Sequence, residues 1–172
     1  MANIQVSRVT NASVYLAGNS LVGRAESVEL PKVAFDMGDN KPLGLIGAFQ
    51  TADEIQQMEA KFKWHSLHAD VLSKCNPFAA QQFQVRASVA EYGPQGRTSE
   101  QPFVALITGV FREFPSIAMK AGDAVMPDSE VAVTYYKATL GGSPLIECDV
   151  LANKLLVGGT DVLAQRRANL GG

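Results

Sequence analysis

The 172-residue sequence has no concentrated basic tract: 15 lysines and arginines stand against 17 acidic residues, and the formal net charge is −2. A surface that grips phosphates tightly needs a dense positive patch, so composition argues against a dedicated nucleic-acid-binding domain. No apolar run approaches the ~20 residues of a membrane span, which excludes a helical membrane anchor. The first residues, MANIQVSRVT, lack a charged-then-apolar leader, which predicts a soluble chain made in a cytoplasm. There are two cysteines, Cys75 and Cys148, far apart in the sequence and expected as reduced structural thiols. No repeat, low-complexity tract or linker divides the chain. A hydrophobic content of 47% supports one core, hence a single domain spanning 1–172.

Reactive chemistry is equally scarce. The only two histidines, His65 and His68, lie near Asp70 and Cys75, but the paired spacings of a four-ligand zinc site are missing. They read as surface histidines flanking a helix. In Gly18-Asn19-Ser20 the second glycine is misplaced for a nucleophile elbow. Leu155–Asp161 resembles the strand-to-helix step of a nucleotide site, yet the third glycine is absent and too little chain follows. Asn11-Ala12-Ser13 is a formal glycosylation triplet without an export signal. Glu147 and Asp149 share one strand face and are expected to pair with Arg166 or Arg167. No catalytic constellation, metal set or cofactor site emerges, so the chain does not read as an enzyme.

What the sequence does hold is β-patterning. Residues 1–12 are polar and aperiodic, predicting a loose start, and Val14–Val22 reads as a short hairpin. A strand is predicted over Ser27–Asp36, with Pro31 marking a bulge or an unpaired edge because proline cannot donate to a ladder. In Met58–Trp64, Met58, Ala60, Phe62 and Trp64 share one face and Glu59, Lys61 and Lys63 the other, the period of a half-buried strand. Ser66 is placed to cap a helix with an apolar stripe of Leu67, Val71, Leu72 and Cys75, ended at Asn76-Pro77. Gln82–Tyr92 alternates with Phe83, Val85, Ala87 and Val89 inward. A long hairpin loop is predicted from Gly93 to Pro102, a return strand over Phe103–Phe114, and a loop from Pro115 to Ser129.

Between the first strands lies an oddity. Met37–Gln50 begins with turn formers and then offers Leu43, Leu45, Ile46 and Phe49 in a glycine-interrupted run. An apolar loop tip needs cover in water, either from its own domain or from a neighbouring subunit. The C-terminal quarter then reads as strand (Val131–Leu140), glycine turn, strand (Leu145–Val150), a second turn at Gly158-Gly159, and a short helix through Asn169 capped by Thr160 or Asp161. The sum is a mainly β chain: a β-sandwich or partly open barrel of about seven to eight antiparallel strands, with one internal helix and a short C-terminal helix.

That quarter also carries an ordered set of residues: Tyr135-Tyr136-Lys137, Gly142, Leu145-x-Glu147-x-Asp149, Asn153, Val157-x-Gly159-x-Asp161 and Arg167-x-Asn169-Leu170-Gly171. Asn11-x-x-Val14, Gly18, Gly23, Ser27-Val28-x-Leu30-Pro31-Lys32 and Met58-Glu59-Ala60-Lys61-Phe62 precede it. Together they resemble the major tail tube protein of P2-like contractile-tailed phages and R-type tailocins, most loosely between Ser66 and Pro127. The resemblance implies a structural virion protein whose copies close into hexameric rings stacked helically into a tube. It also implies partners: the chain itself, a contractile sheath outside, tape-measure protein and DNA within, and a baseplate and tail terminator at the ends.

The resemblance makes 36–50 an assembly arm, with Leu43, Leu45, Ile46 and Phe49 as interface residues. The C-terminal helix offers Arg166, Arg167 and Asn169 for ring stacking. Four strands, Ser27–Asp36, Met58–Trp64, Val104–Glu113 and Val131–Leu140, are candidates for an inner sheet. Their polar faces offer Glu59, Lys61, Lys63, Thr108, Arg112, Lys137 and Thr139 to a lumen. That set is mixed to basic, whereas DNA should slide through a neutral or acidic channel, so either acids from a neighbouring subunit pair with these bases or a different face meets the lumen. The alternative is a small β-barrel that binds an apolar ligand.

Overall fold

The computed structural model describes residues 5–171, and in them the chain forms twelve strands and two short helices. In chain order the first strands are β1 (Val6–Leu16), β2 (Asn19–Ser20), β3 (Ala25–Glu29), β4 (Phe35–Asn40), β5 (Phe49–Ile55) and β6 (Met58–Trp64). Helix α1 (Ala69–Leu72) leads to the long strands β7 (Gln81–Gly93), β8 (Gly96–Phe111) and β9 (Asp128–Leu140). The chain closes with β10 (Ser143–Asp149), β11 (Lys154–Val157), β12 (Thr160–Asp161) and α2 (Ala164–Asn169). Ten strands share one antiparallel sheet that is not closed into a barrel; β4 and β5 form a separate two-stranded ribbon. The mainly β, partly open architecture expected from the sequence is the one that forms.

Strand β9 is where the sheet forks. Along one edge it pairs with β8; along the other it gives Asp128–Val133 to β6 and Tyr135–Leu140 to β10. A bulge beside the fork, between Thr108 and Gly109, leaves Thr134 outside the β8 ladder. The Thr134 hydroxyl instead donates to the Thr108 carbonyl (3.3 Å), and its own carbonyl accepts from the Val150 amide (3.0 Å). Such a bulge bends the strand and raises its twist, which lets one sheet curl around its own core.

The core follows from alternation. Met58, Ala60, Phe62 and Trp64 are all buried, as their period of two requires, and meet Phe83, Ile107, Phe111, Val131 and Val133. Phe62 stacks on Trp64 and Phe83 at centroid distances of 5.7 and 4.6 Å, and Phe83 meets Phe111 edge-on at 5.6 Å. Each such aromatic pair adds about 0.5–1.5 kcal/mol beyond burial. Among the described residues Ser129 is the one buried polar side chain, and its hydroxyl accepts the Trp64 indole N–H at 2.9 Å. Ser129→Ala should orphan that buried donor and cost about 1–3 kcal/mol. A urea midpoint unchanged from wild type would show that the indole needs no partner there.

Several local expectations are corrected. Residues 6–12, read as loose, are the first half of β1, paired with β7 although exposed on both faces. The predicted strand over Ser27–Asp36 is two strands in different sheets. Beyond Glu29 the chain leaves the β6 ladder at Pro31, which has no N–H to offer, and joins the ribbon at Phe35. The predicted loop from Gly93 to Pro102 is a two-residue turn, with Gly93 facing Gly96, followed by the first half of β8. Its polar residues bond along and across the strands: Glu100 accepts from Arg97 of its own strand (3.0 Å) and from Ser88 (2.5 Å) and Thr10 (3.3 Å), and Ser99 donates to Glu91 (2.7 Å).

The helix near Ser66 shrinks to the four residues of α1. Ser66 does not cap it; its hydroxyl bonds His68 Nε2 at 2.9 Å. Val71 and Cys75 are buried but Leu67 is exposed. At the C-terminus the chain adds β11 and β12, a hairpin the sequence reading missed. Leu163, not Thr160 or Asp161, occupies the cap position of α2, although Asp161 still accepts the Leu163 amide at 3.0 Å. The remnants of 1–4 and 172 in the first and last expectations lie outside the described residues.

Candidate assembly surfaces

The strands β3, β6, β9 and β8 are consecutive neighbours in the sheet. Because side chains alternate along each strand, burying Phe62, Ile107 and Val131 on one face turns their neighbours to the other. Glu59, Lys61, Lys63, Thr108, Arg112, Lys137 and Thr139 therefore share the face away from the core. The sequence set looked mixed to basic; the structure supplies acids from the same chain. Lys61 meets Glu130 (3.2 Å), Lys63 meets Glu26 (3.5 Å), Arg112 meets Glu59 and Glu130, and Lys137 meets Glu147 (3.0 Å). Glu29 and Asp128 have no ion-pair partner among the described residues, so the face is balanced with a slight acidic excess. Glu26, Glu130 and Glu147 were missing from the sequence set because they join it through register. Lys61 faces Glu130 across β6–β9, and Lys137 faces Glu147 across β9–β10.

Most of these pairs are exposed and contribute little individually. Glu147 differs: its side chain is 13% exposed and held between Lys137 and Lys154, each at 3.0 Å. Their hydrogen bonds and charges hold its carboxyl below the usual glutamate value, and Glu147 in turn raises Lys137. A lowered folded-state pKa stabilises the fold above the unfolded value, and that contribution disappears as pH falls through the folded value. Glu147→Gln should therefore lower the neutral-pH urea midpoint and flatten its decline in acid. Parallel acid profiles for variant and wild type would show that the bridge does not act.

The ribbon of β4 and β5 stands apart. Its root is anchored, since Phe35 and Ile55 pack against the core. Polar ties run up the stem: Gln56 to Asp36 (2.7 Å), Gln50 to Asp39 (2.8 Å) and Asn40 to Thr51 (3.0 Å). At the tip, Leu43 and Ile46 are 106% and 110% exposed, and Leu45 and Phe49 are also exposed. The reading in which this tip folds back onto its own domain is not what the structure shows. A two-stranded ribbon is marginal in water, and one ending in bare leucine and isoleucine invites a partner.

The C-terminal helix divides its residues. Arg167 donates to Asp161 (2.5 Å) and to the Asn153 carbonyl (3.1 Å), so it ties α2 to its own domain and lowers the Asp161 pKa. Asn169 accepts from Gln165 at 2.9 Å within the helix. Arg166 lines an open groove with Asp36, Asp53 and Glu54 at the arm root, and among the described residues it makes no ion pair. The expected pairing of Glu147 and Asp149 with these arginines is corrected. Glu147 takes lysines, and Asp149 accepts the Ala152 amide at 3.0 Å.

The remaining chemical candidates are occupied elsewhere. Asp70 pairs with Arg24, His68 with Ser66, and the Cys75 thiol lies against the Val71 carbonyl at 3.6 Å. Burial pushes both cysteine thiols up. The glycines of Leu155–Asp161 make the tight turn between β11 and β12, with φ of 58° and 86° at Gly158 and Gly159. An apolar cleft of about 190 Å³ lies between β1 and β3, below the ~300 Å³ at which pockets for drug-sized ligands begin. No helix among the described residues is long and apolar enough to cross a membrane.

Compared with known proteins, the chain matches the family model described as "Phage tail tube protein FII" over residues 6–171. No curated protein matches it.

Proposed function

Since this chain belongs to the phage tail tube protein FII family, a family of structural virion proteins and not of enzymes, we propose how it builds its tube. Copies close into hexameric rings, and the rings stack helically. The sheet β3-β6-β9-β8 of each copy lines the lumen with Glu59, Lys61, Lys63, Thr108, Arg112, Lys137 and Thr139. A barrel of that many strands leaves an aqueous channel. The arm and Arg166 make contacts between copies, whereas Arg167 serves its own domain.

The observation that carries this reading is the anchored ribbon whose apolar tip none of the described residues covers. The balanced polar face supports it: lysines and arginines already paired with acids offer passing phosphates few binding sites, so DNA and tape-measure protein slide through. A contractile sheath grips the outer surface, with a baseplate and a tail terminator at the ends, in a phage tail or an envelope-piercing tailocin. Synthesis takes place in the host bacterial cytoplasm. The apolar-ligand barrel is the weaker reading, because the sheet does not close into a barrel that would enclose a ligand.

Negative-stain electron microscopy over a concentration series, with light scattering, tests the proposal. Rings or hollow tubes of uniform width are expected. Monomers at every concentration that bind an apolar fluorescent probe at one tight site would overturn it.

A further inference from the structure

Three strand segments run past the core as a flap: 6–11 of β1, 88–93 of β7 and 96–102 of β8. Among the described residues they pair only with one another, since β2 meets β1 no earlier than Tyr15 and β9 meets β8 no earlier than Phe103. None of their side chains belongs to the hydrophobic core, and Val6 and Val9 are exposed. Ala90 is buried yet lies outside that core, with Arg8 and Glu100 as its cross-strand neighbours. Backbone ladders with few buried apolar contacts mark the part of a protein that opens first.

On one face of the flap a single carboxylate reaches all three strands. Glu100 accepts from Ser88 of β7 (2.5 Å) and from Arg97 of its own strand (3.0 Å). The Thr10 hydroxyl, at the β1 bulge, lies between that carboxylate (3.3 Å) and the Ser88 carbonyl (3.1 Å). We propose that the flap is a conformational device that opens and closes while the core stays folded, with Glu100 as its pin. This goes beyond the tube reading and does not rest on it. The titratable and charged groups on the face of Glu100 are Arg8 from β1, Arg86 and Tyr92 from β7, and Arg97 from β8. Glu91 lies on the opposite face, where it accepts from Ser99 and Gln101. The Ser88 hydrogen bond, and then the Arg97 charge, hold the Glu100 carboxyl below the usual glutamate value. A lowered folded-state value steadies the closed flap above the ordinary glutamate pKa, and that contribution is lost as pH falls through the folded value. Bonds to a charged carboxylate are roughly twice as strong as neutral ones, so acid releases the pin.

Backbone amide exchange on the full, unassembled chain, corrected for intrinsic rates, reads the device. Amides of 6–11, 88–93 and 96–102 should be at least about tenfold less protected than those of β6. Their protection should fall further as pH drops through the glutamate range, while β6 stays closed. Glu100→Gln should lower flap protection several-fold at neutral pH, remove the acid decline and leave the β6 amides unchanged. Glu91→Gln, on the other face, should keep the acid decline. Wild-type flap protection equal to that of β6 at every pH would overturn the separate unit. An acid decline that persists in Glu100→Gln, or a loss of β6 protection in that variant, would overturn the pin.

Discussion

Deletion of Leu43–Phe49 should abolish polymerisation and leave a monomer that unfolds at the same temperature as wild type. The segment lies at the end of the ribbon and contributes no side chain to the buried core. After deletion, Asn40-Lys41-Pro42 still spans the turn between Asp39 and Gln50, which remain paired through backbone and side chains. In an assembly the arithmetic reverses. An apolar side chain of this size gains about 1.5–3 kcal/mol when fully covered. Removing four such groups should weaken each contact by well over about a hundredfold, since 1.4 kcal/mol is a factor of ten. Sedimentation and electron microscopy of the variant read the loss, and circular dichroism reads the fold. Normal tubes would end the argument for the arm. A lower melting temperature would mean that the tip supports its own domain.

The second large effect concerns the fork in the sheet. Gly109→Ala would place a methyl 2.2 Å from the Ala132 carbonyl oxygen and 2.8 Å from Val131 Cγ1. The first neighbour is backbone in the facing strand, so relief requires β8 and β9 to separate where β9 also holds β6. Overpacking costs about 1–3 kcal/mol, and a rigid backbone contact belongs at the upper end. At about 2–4 °C per kcal/mol for a chain of this size, the melting temperature should fall by up to about 10 °C. Gly93→Ala is the control: its methyl meets only Thr98 Cγ2 at 3.3 Å, and the effect should be small. Equal stability of Gly109→Ala and wild type would mean that the bulge is not closely packed. Because the same strands carry the proposed lumen face, the variant should also assemble poorly.

What the sequence determined by itself was local and periodic. Met58–Trp64 announced its buried face because each side chain there alternates strictly, and Gly141-Gly142 announced a hairpin because both residues adopt positive φ, at 57° and 84°. The apolar arm was legible because four large hydrophobic residues among glycines have no amphipathic register to hide in. The resemblance carried by the C-terminal quarter led to the family that the comparison shows.

What only the tertiary structure decided was pairing. Val6–Asn11 is exposed on both faces and Arg97–Gln101 is polar throughout, so neither shows an apolar alternation and only their hydrogen-bonded neighbours make them strands. Arg167 turned inward to Asp161 and Arg166 did not, a difference that composition on one short helix cannot express. Lysines on the polar face found acids only through register: Glu130 lies 69 positions from Lys61 in the chain and directly opposite it in the sheet. Side-chain period is written along a strand, but the charge balance of a face depends on which strands lie side by side, and that is settled when the sheet curls around its core.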